Sequence, residues 1–220
     1  MWHSDGFLIA IGASAGGMEA IRHLLGRLGS IENASVCIVS HLSPDVDASY
    51  FISSLQKNTR MPCHLGADNM PLESGNVYLA PANYHFIIKE KTILLGGGPV
   101  DHRWRPSIDV AFRSAAISWD THCIGIILSG MLNDGVAGMN AIRTCGGLTI
   151  VQDVFEAAYP DMPKAVLGAK AAQYAVPLDA MPAVIENYMG GGWPRRPAPQ
   201  KLQEEARRAE EVASGKTKDS

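Results

Sequence analysis

With 220 residues, 46% of them hydrophobic, the chain has material for one substantial domain and too little length for two. A formal net charge of −3 argues against a nucleic-acid partner. No apolar run approaches the roughly 20 residues of a membrane span, and the opening MWHSDGFLIAIG lacks the basic start of a secretory leader, so a cytoplasmic protein without membrane insertion is expected.

Residues 7–11 (FLIAI) read as a buried strand, and 17–28 place Met18, Ile21, Leu24, Leu25 and Leu28 at helical spacing. A second strand (35–40) and a second helix (48–58) follow. After short segments around CHLG and NVYLAP, HFIIKEKTILL has the pattern of a hairpin turning at Lys89, Glu90 and Lys91. The stretch 105–119 starts a helix with Pro106 near its first turn, where a missing N–H costs nothing. Then come a core strand (122–130), a helix (135–145) stopped by Gly146 and Gly147, a strand at LTIVQD, a short helix at MPKAVLGA, a strand at QYAVPL and a helix at DAMPAVIENYM. The alternation predicts an α/β fold: a doubly wound, mostly parallel sheet with an antiparallel hairpin at the edge and helices on both faces. A catalytic domain over 1–189 is expected, followed over 190–220 by a Gly/Pro linker and a charged, mobile tail outside the core. The four cysteines, Cys37, Cys63, Cys123 and Cys145, form no CxxC pair and read as free thiols rather than a metal site. His64, His85, His102 and His122 likewise follow no metal-ligand spacing.

In such sheets ligands sit beyond the carboxyl ends of the strands, so the strand exits are the places to look. The first exit holds Gly12-Ala13-Ser14-Ala15-Gly16-Gly17. Between a strand and a helix, this turn suits a nucleophile elbow presenting Ser14, and it equally suits a degenerate phosphate cradle. The second exit, IVSHLSPD, carries His41 where a dinucleotide fold wants an acidic residue, and Glu32 lies before that strand, at its wrong end. A histidine beside a serine is what acyl transfer needs. The third exit, IILSGMLNDGVAG, carries Asp134, which could orient the histidine or simply cap the next helix. The chain order Ser, His, Asp disfavours the ordinary α/β-hydrolase fold, whose order is Ser, Asp, His.

IGASAGG, SHLSPD, MPLESGNVYLAPANYH, HRWRPSIDVAFRSAA, GIILSGMLNDGVAGM and GGLTIVQD…AAYPDMPKAV stand in one order over about residues 7 to 185. In them the chain closely resembles the catalytic domain of the protein-glutamate methylesterases of bacterial chemotaxis, the CheB type. The resemblance implies a serine esterase that hydrolyses glutamyl γ-methyl esters on chemoreceptor helices, releasing methanol, and in some members deamidates receptor glutamines. It implies Ser14 as nucleophile, His41 as general base, Asp134 as its orienting partner, and no metal or cofactor. Backbone amides near Ala15, Gly16 and Met131 are candidate oxyanion donors. Arg103 and Arg105, in DHRWRPSID, are candidates for positioning an acidic receptor helix, against a plainer reading as surface arginines beside a packed tryptophan. The expected partner is a methylated chemoreceptor or similar helical signalling protein. About six residues precede the first strand, so a stand-alone form without the family's receiver domain is expected, with a separate response regulator as a candidate controller. Ala15 stands where chemotaxis members commonly carry threonine. The alternative is a catalytically silent adaptor or binding module of the same fold.

Overall fold

The computed structural model describes residues 6–41, 47–101, 104–192 and 198–215. The chain runs through β1 (Phe7–Ala13), α1 (Gly17–Leu28), β2 (Ala34–Ser40) and α2 (Ala48–Gln56). Next come β3 (Cys63–Leu65), β4 (Met70–Pro71), β5 (Val77–Leu79), β6 (His85–Lys89) and β7 (Thr92–Gly96). The second half holds α3 (Ile108–Trp119), β8 (Cys123–Ile127), α4 (Val136–Thr144), β9 (Leu148–Gln152), α5 (Asp161–Gly168), β10 (Tyr174–Val176), α6 (Met181–Met189) and α7 (Gln200–Ser214).

Seven strands form one parallel sheet in the order β10-β9-β8-β1-β2-β5-β3. β1, β2, β8 and β9 are buried along their whole length, which is why they read as unbroken apolar runs instead of alternating ones. Successive β1 side chains feed two cores. Leu8 and Ala10 join Ile108, Phe112, Met139, Ile142 and Met162 under α3, α4 and α5. Ile9 and Ile11 join Ile21, Leu24, Leu25, Met181 and Ile185 under α1 and α6. The predicted hairpin forms from β6 and β7, and β4, a two-residue strand too short to announce itself, completes a second, antiparallel sheet in the order β4-β7-β6.

The C-terminal segment departs from expectation. Residues 200–214, expected outside the core, form a helix packed on it: α7 lies against α3 and the second sheet, with Ala206 and Ala213 both 2% exposed. Gly98 N donates to Ala213 O at 2.7 Å, and a Cβ on Gly98 would meet Val212 O at 1.9 Å, so only glycine admits this approach. The docking stripe is built largely from alanines, which carry little hydrophobic weight, while exposed pairs such as Arg208–Glu204 dominate the composition of the segment. That imbalance made it read as a solvated helix. The cysteines are free, with Cys37, Cys123 and Cys145 buried. Burial pushes the Cys37 thiol well up and those of Cys63 and Cys145 to about 11, which keeps them protonated and inert. Among the described residues no helix is long and apolar enough to cross a membrane.

Candidate active site

β1 sits where the sheet order turns both ways, flanked by β2 and β8, so the crevice beyond its carboxyl end lies at the topological switch point. Ala13 and Ser40 are register partners, and the chain leaves the sheet immediately after each. Ser14 and His41 therefore emerge side by side from neighbouring strands. On the other flank Gly12 pairs with Ile127, and the loop beyond β8 returns Asp134 to the same rim.

The three predicted side chains meet there. His41 Nδ1 lies 3.1 Å from Ser14 Oγ, and His41 Nε2 lies 2.8 Å from Asp134 Oδ2. The His41 and Asp134 side chains are each 1% exposed. The carboxylate can only accept, so it holds the proton on Nε2 and leaves Nδ1 bare to receive the Ser14 hydroxyl proton.

Asp134 is not the cap of α4. The N-cap there is Gly135, with no side-chain bond. Its carboxylate instead closes the start of α3, taking Ile108 N at 2.8 Å and Asp109 N at 3.0 Å. Burial by itself would raise this carboxyl, but the hydrogen bonds from His41, Ile108 and Asp109 outweigh burial and hold it below the ordinary carboxylate value. A depressed folded-state pKa contributes stability that is complete above the unfolded value and lost as the pH falls through the folded one. We therefore expect the stability advantage of the wild type over Asp134→Asn to be largest above about pH 5 and to shrink below about pH 4, read from urea midpoints across that range.

The nucleophile turn is pinned by a residue that sequence reasoning passed over. Ser129 O accepts from Ser14 N at 3.0 Å, and Ser129 Oγ donates to Ala15 O at 2.8 Å while accepting from Tyr159 N at 2.9 Å. A polar residue ending the apolar run of β8 was the available signal. Gly16 adopts φ 69, and a Cβ there would stand 3.0 Å from Ser129 Oγ and 3.1 Å from a Tyr159 ring carbon, so the turn needs glycine twice over. Gly16 is also the N-cap of α1 and supplies no side-chain bond. The amides of Ala15, Gly16 and Met131 have no carbonyl partner among the described residues.

The two arginines fare differently from one another. Arg103 lies outside the described residues, as does the segment 42–46. Arg105 turns its Nη1 to the backbone, donating to Gly97 O at 3.1 Å and Gly98 O at 2.7 Å, so its charge braces the strand exit beyond β7. Between them Trp104, which the sequence left undecided between a packing residue and part of a positioning loop, lays its ring on His41 with centroids 3.9 Å apart and planes 4° from parallel.

Ser14, Gly16, Met18, Glu19, Arg22, Ser40, His41 and Phe51 line a cleft of about 400 Å³. A larger cavity of about 960 Å³ lies elsewhere, between α7 and the Lys89–Lys91 turn, and holds none of the three side chains. The smaller cleft holds Ser14 and His41, the end of a proton relay that finishes on a hydroxyl: an arrangement able to attack an acyl carbon.

The model of the CheB methylesterase family matches residues 9–185. A protein-glutamate methylesterase/protein-glutamine glutaminase of Pseudomonas fluorescens is 37% identical over 181 residues, covering 81% of this chain and 54% of that protein. A putative one from Leptospira interrogans is 35% identical over 172 residues, covering 78% of this chain and 89% of its own length. The chain thus spans about half the length of the Pseudomonas relative. The crystal structure of the Thermotoga maritima CheB methylesterase catalytic domain shares the fold, with a TM-score of 0.74 at 24% identity over 84% of this chain and 97% of that one. With its family match over most of its length, the chain belongs to the CheB methylesterase family.

Proposed function

We propose that the chain is a serine hydrolase that cleaves glutamyl γ-methyl esters on a helical, chemoreceptor-like signalling protein. The observation that carries this reading is the His41 ring, bonded on one side to Ser14 and on the other to Asp134. His41 Nδ1 takes the hydroxyl proton as Ser14 Oγ attacks the ester carbonyl carbon. The oxyanion is received by the amides of Ala15, Gly16 and Met131, and Asp134 stabilises the imidazolium. The proton then passes to the departing methoxide, and methanol leaves. Water repeats the path on the acyl-enzyme and frees the glutamate carboxylate. On a γ-carboxamide the same steps release ammonia, in keeping with the double name of the relatives. Every atom is supplied by substrate and water, so the chemistry calls for no cofactor.

The surroundings of the cleft favour a protein substrate. Beyond the same strand ends stand Met131 and Leu132, about half exposed, Tyr159, and Phe155, which is 96% exposed. Leu132 is held at φ 67, a strained backbone for a bulky residue. Apolar groups presented this way suit the flanks of an amphipathic helix whose ester side chain reaches Ser14. Such a substrate sets the work in the cytoplasm, and control by a separate response regulator would appear in the same assay on adding the phosphorylated regulator. A silent adaptor has no use for a complete, dry relay.

The test is methanol release from methyl-labelled receptors of the same cell, comparing the wild type with Ser14→Ala. Release by the wild type alone is expected, and a wild type that frees no methanol overturns the reading.

A further inference from the structure

Trp104 covers the proton acceptor of the site, and nothing in the relay described so far uses it. Its backbone is fixed from both sides. Trp104 N donates to Asp101 O at 2.8 Å and Asp101 N to Trp104 O at 3.1 Å, closing a two-bond bridge. Asp101 Oδ2 accepts from Ser107 Oγ at 2.9 Å, which ties that bridge to the cap of α3, the same helix start that holds Asp134. On the far side Arg105 is anchored to the Gly97 and Gly98 carbonyls. The indole is thus delivered to a set place, flat against the imidazole at 3.9 Å and 4°.

We propose that Trp104 is a positioning residue of the hydrolysis, acting through His41: its indole face fixes the imidazole plane and stabilises the imidazolium formed as Ser14 attacks. The inference rests on the acyl-transfer reading above. His41 must aim two ring nitrogens at once, and rotation about its terminal side-chain bond breaks both contacts, so a parallel ring against one face removes the motion that would be most costly. The second effect follows from charge. An aromatic face attracts a cation more strongly than the corresponding neutral ring, and here the cation is shielded from water. The contact therefore strengthens as the proton arrives, and an interaction stronger in the transition state than in the ground state raises kcat, leaving KM nearly unchanged.

The experiment compares wild type, Trp104→Phe and Trp104→Leu, each checked by thermal melting, with Trp104→Met replacing the leucine variant if that one melts early. Two rates are read: phosphonylation of Ser14 by a fluorophosphonate, and kcat and KM for methyl-ester hydrolysis. Leucine is expected to lower both the labelling rate and kcat about tenfold with KM within about twofold, while phenylalanine, which keeps a π face, stays within about threefold of wild type. In NMR spectra the His41 ring protons, shielded by the stacked indole, should move downfield in Trp104→Leu. Equal rates for the leucine and phenylalanine variants, or His41 ring protons that stay in place, overturn the inference. The expected order in phosphonylation without any release of methanol by the wild type would leave the inference standing and remove the methylesterase reading instead.

Discussion

Ser14→Ala should fold as the wild type does and lose methanol release by about 10⁴-fold or more. The fold is indifferent to the change because the turn is held through main-chain atoms: Ser14 N to Ser129 O, Gly17 N to Ser14 O, and Ser129 Oγ to Ala15 O. None of these bonds uses the hydroxyl. The chemistry is not indifferent, since the hydroxyl oxygen is the atom that forms the acyl bond. What remains in the variant is a set of oriented amides and a base with no nucleophile to activate. Single-turnover assays with labelled receptor, alongside melting curves, separate the two effects. A variant that folds and turns over within tenfold of the wild type would mean that another group attacks the ester.

Asp134→Asn should cost about 10⁴-fold in kcat for a different reason. The carboxylate has four donors around it: Ile108 N, Asp109 N, His41 Nε2 and, at 3.3 Å, the Ser107 hydroxyl. Asp109 N sits on Oδ1 while Ile108 N and His41 Nε2 share Oδ2, so an asparagine, with one oxygen, leaves an NH₂ at one of the two positions. With the oxygen kept on Asp109 N, the side-chain NH₂ faces His41 Nε2, which must then accept. The imidazole proton moves to Nδ1 and points at Ser14, so the base is occupied by a proton before the reaction begins. Geometry is kept and the tautomer is reversed. His41→Gln, which also removes the acceptor, should fall to a similar level, and the double variant should lose little more than either alone, because the relay acts as a unit. ¹⁵N spectra of the ring reading the same protonated nitrogen in wild type and Asp134→Asn would refute this account of the loss.

How much of this was legible beforehand follows from the physics of each element. The long parallel strands were plain because burial on both faces demands unbroken apolar runs, as in FLIAI and HCIGIILSG. The convergence of Ser14 and His41 was legible as well: both follow directly on strands, and neighbouring parallel strands deliver their next residues to one edge. Asp134 was visible as a polar residue at a third exit, with capping of α4 as the alternative to orienting the histidine, but its bonds to the start of α3 come only from the tertiary fold. Ser129, and the stacking of Trp104 on His41, escaped for related reasons. Ser129 works through its hydroxyl, which bonds main-chain atoms more than a hundred positions earlier and thirty later, and no local pattern encodes that. Trp104 sits in an irregular loop whose path is set by Asp101, Ser107 and Arg105 acting across it. The docking of α7 was hidden because alanine contributes shape more than hydrophobicity, and the glycines that receive it lie a hundred residues away.

The Gly98–Ala213 contact has a practical consequence. A main-chain amide given to a carbonyl of a terminal helix can trade its hydrogen for deuterium only while that helix is lifted away. Gly98 is therefore a built-in clock for the departure of α7, and the carbonyls of Gly97 and Gly98 that it neighbours are the anchors of Arg105. A fusion partner or affinity tag joined to the C-terminus pulls on this latch, so shortened protection at Gly98 would report, before any assay of turnover, that the attachment has disturbed the loop beside the imidazole.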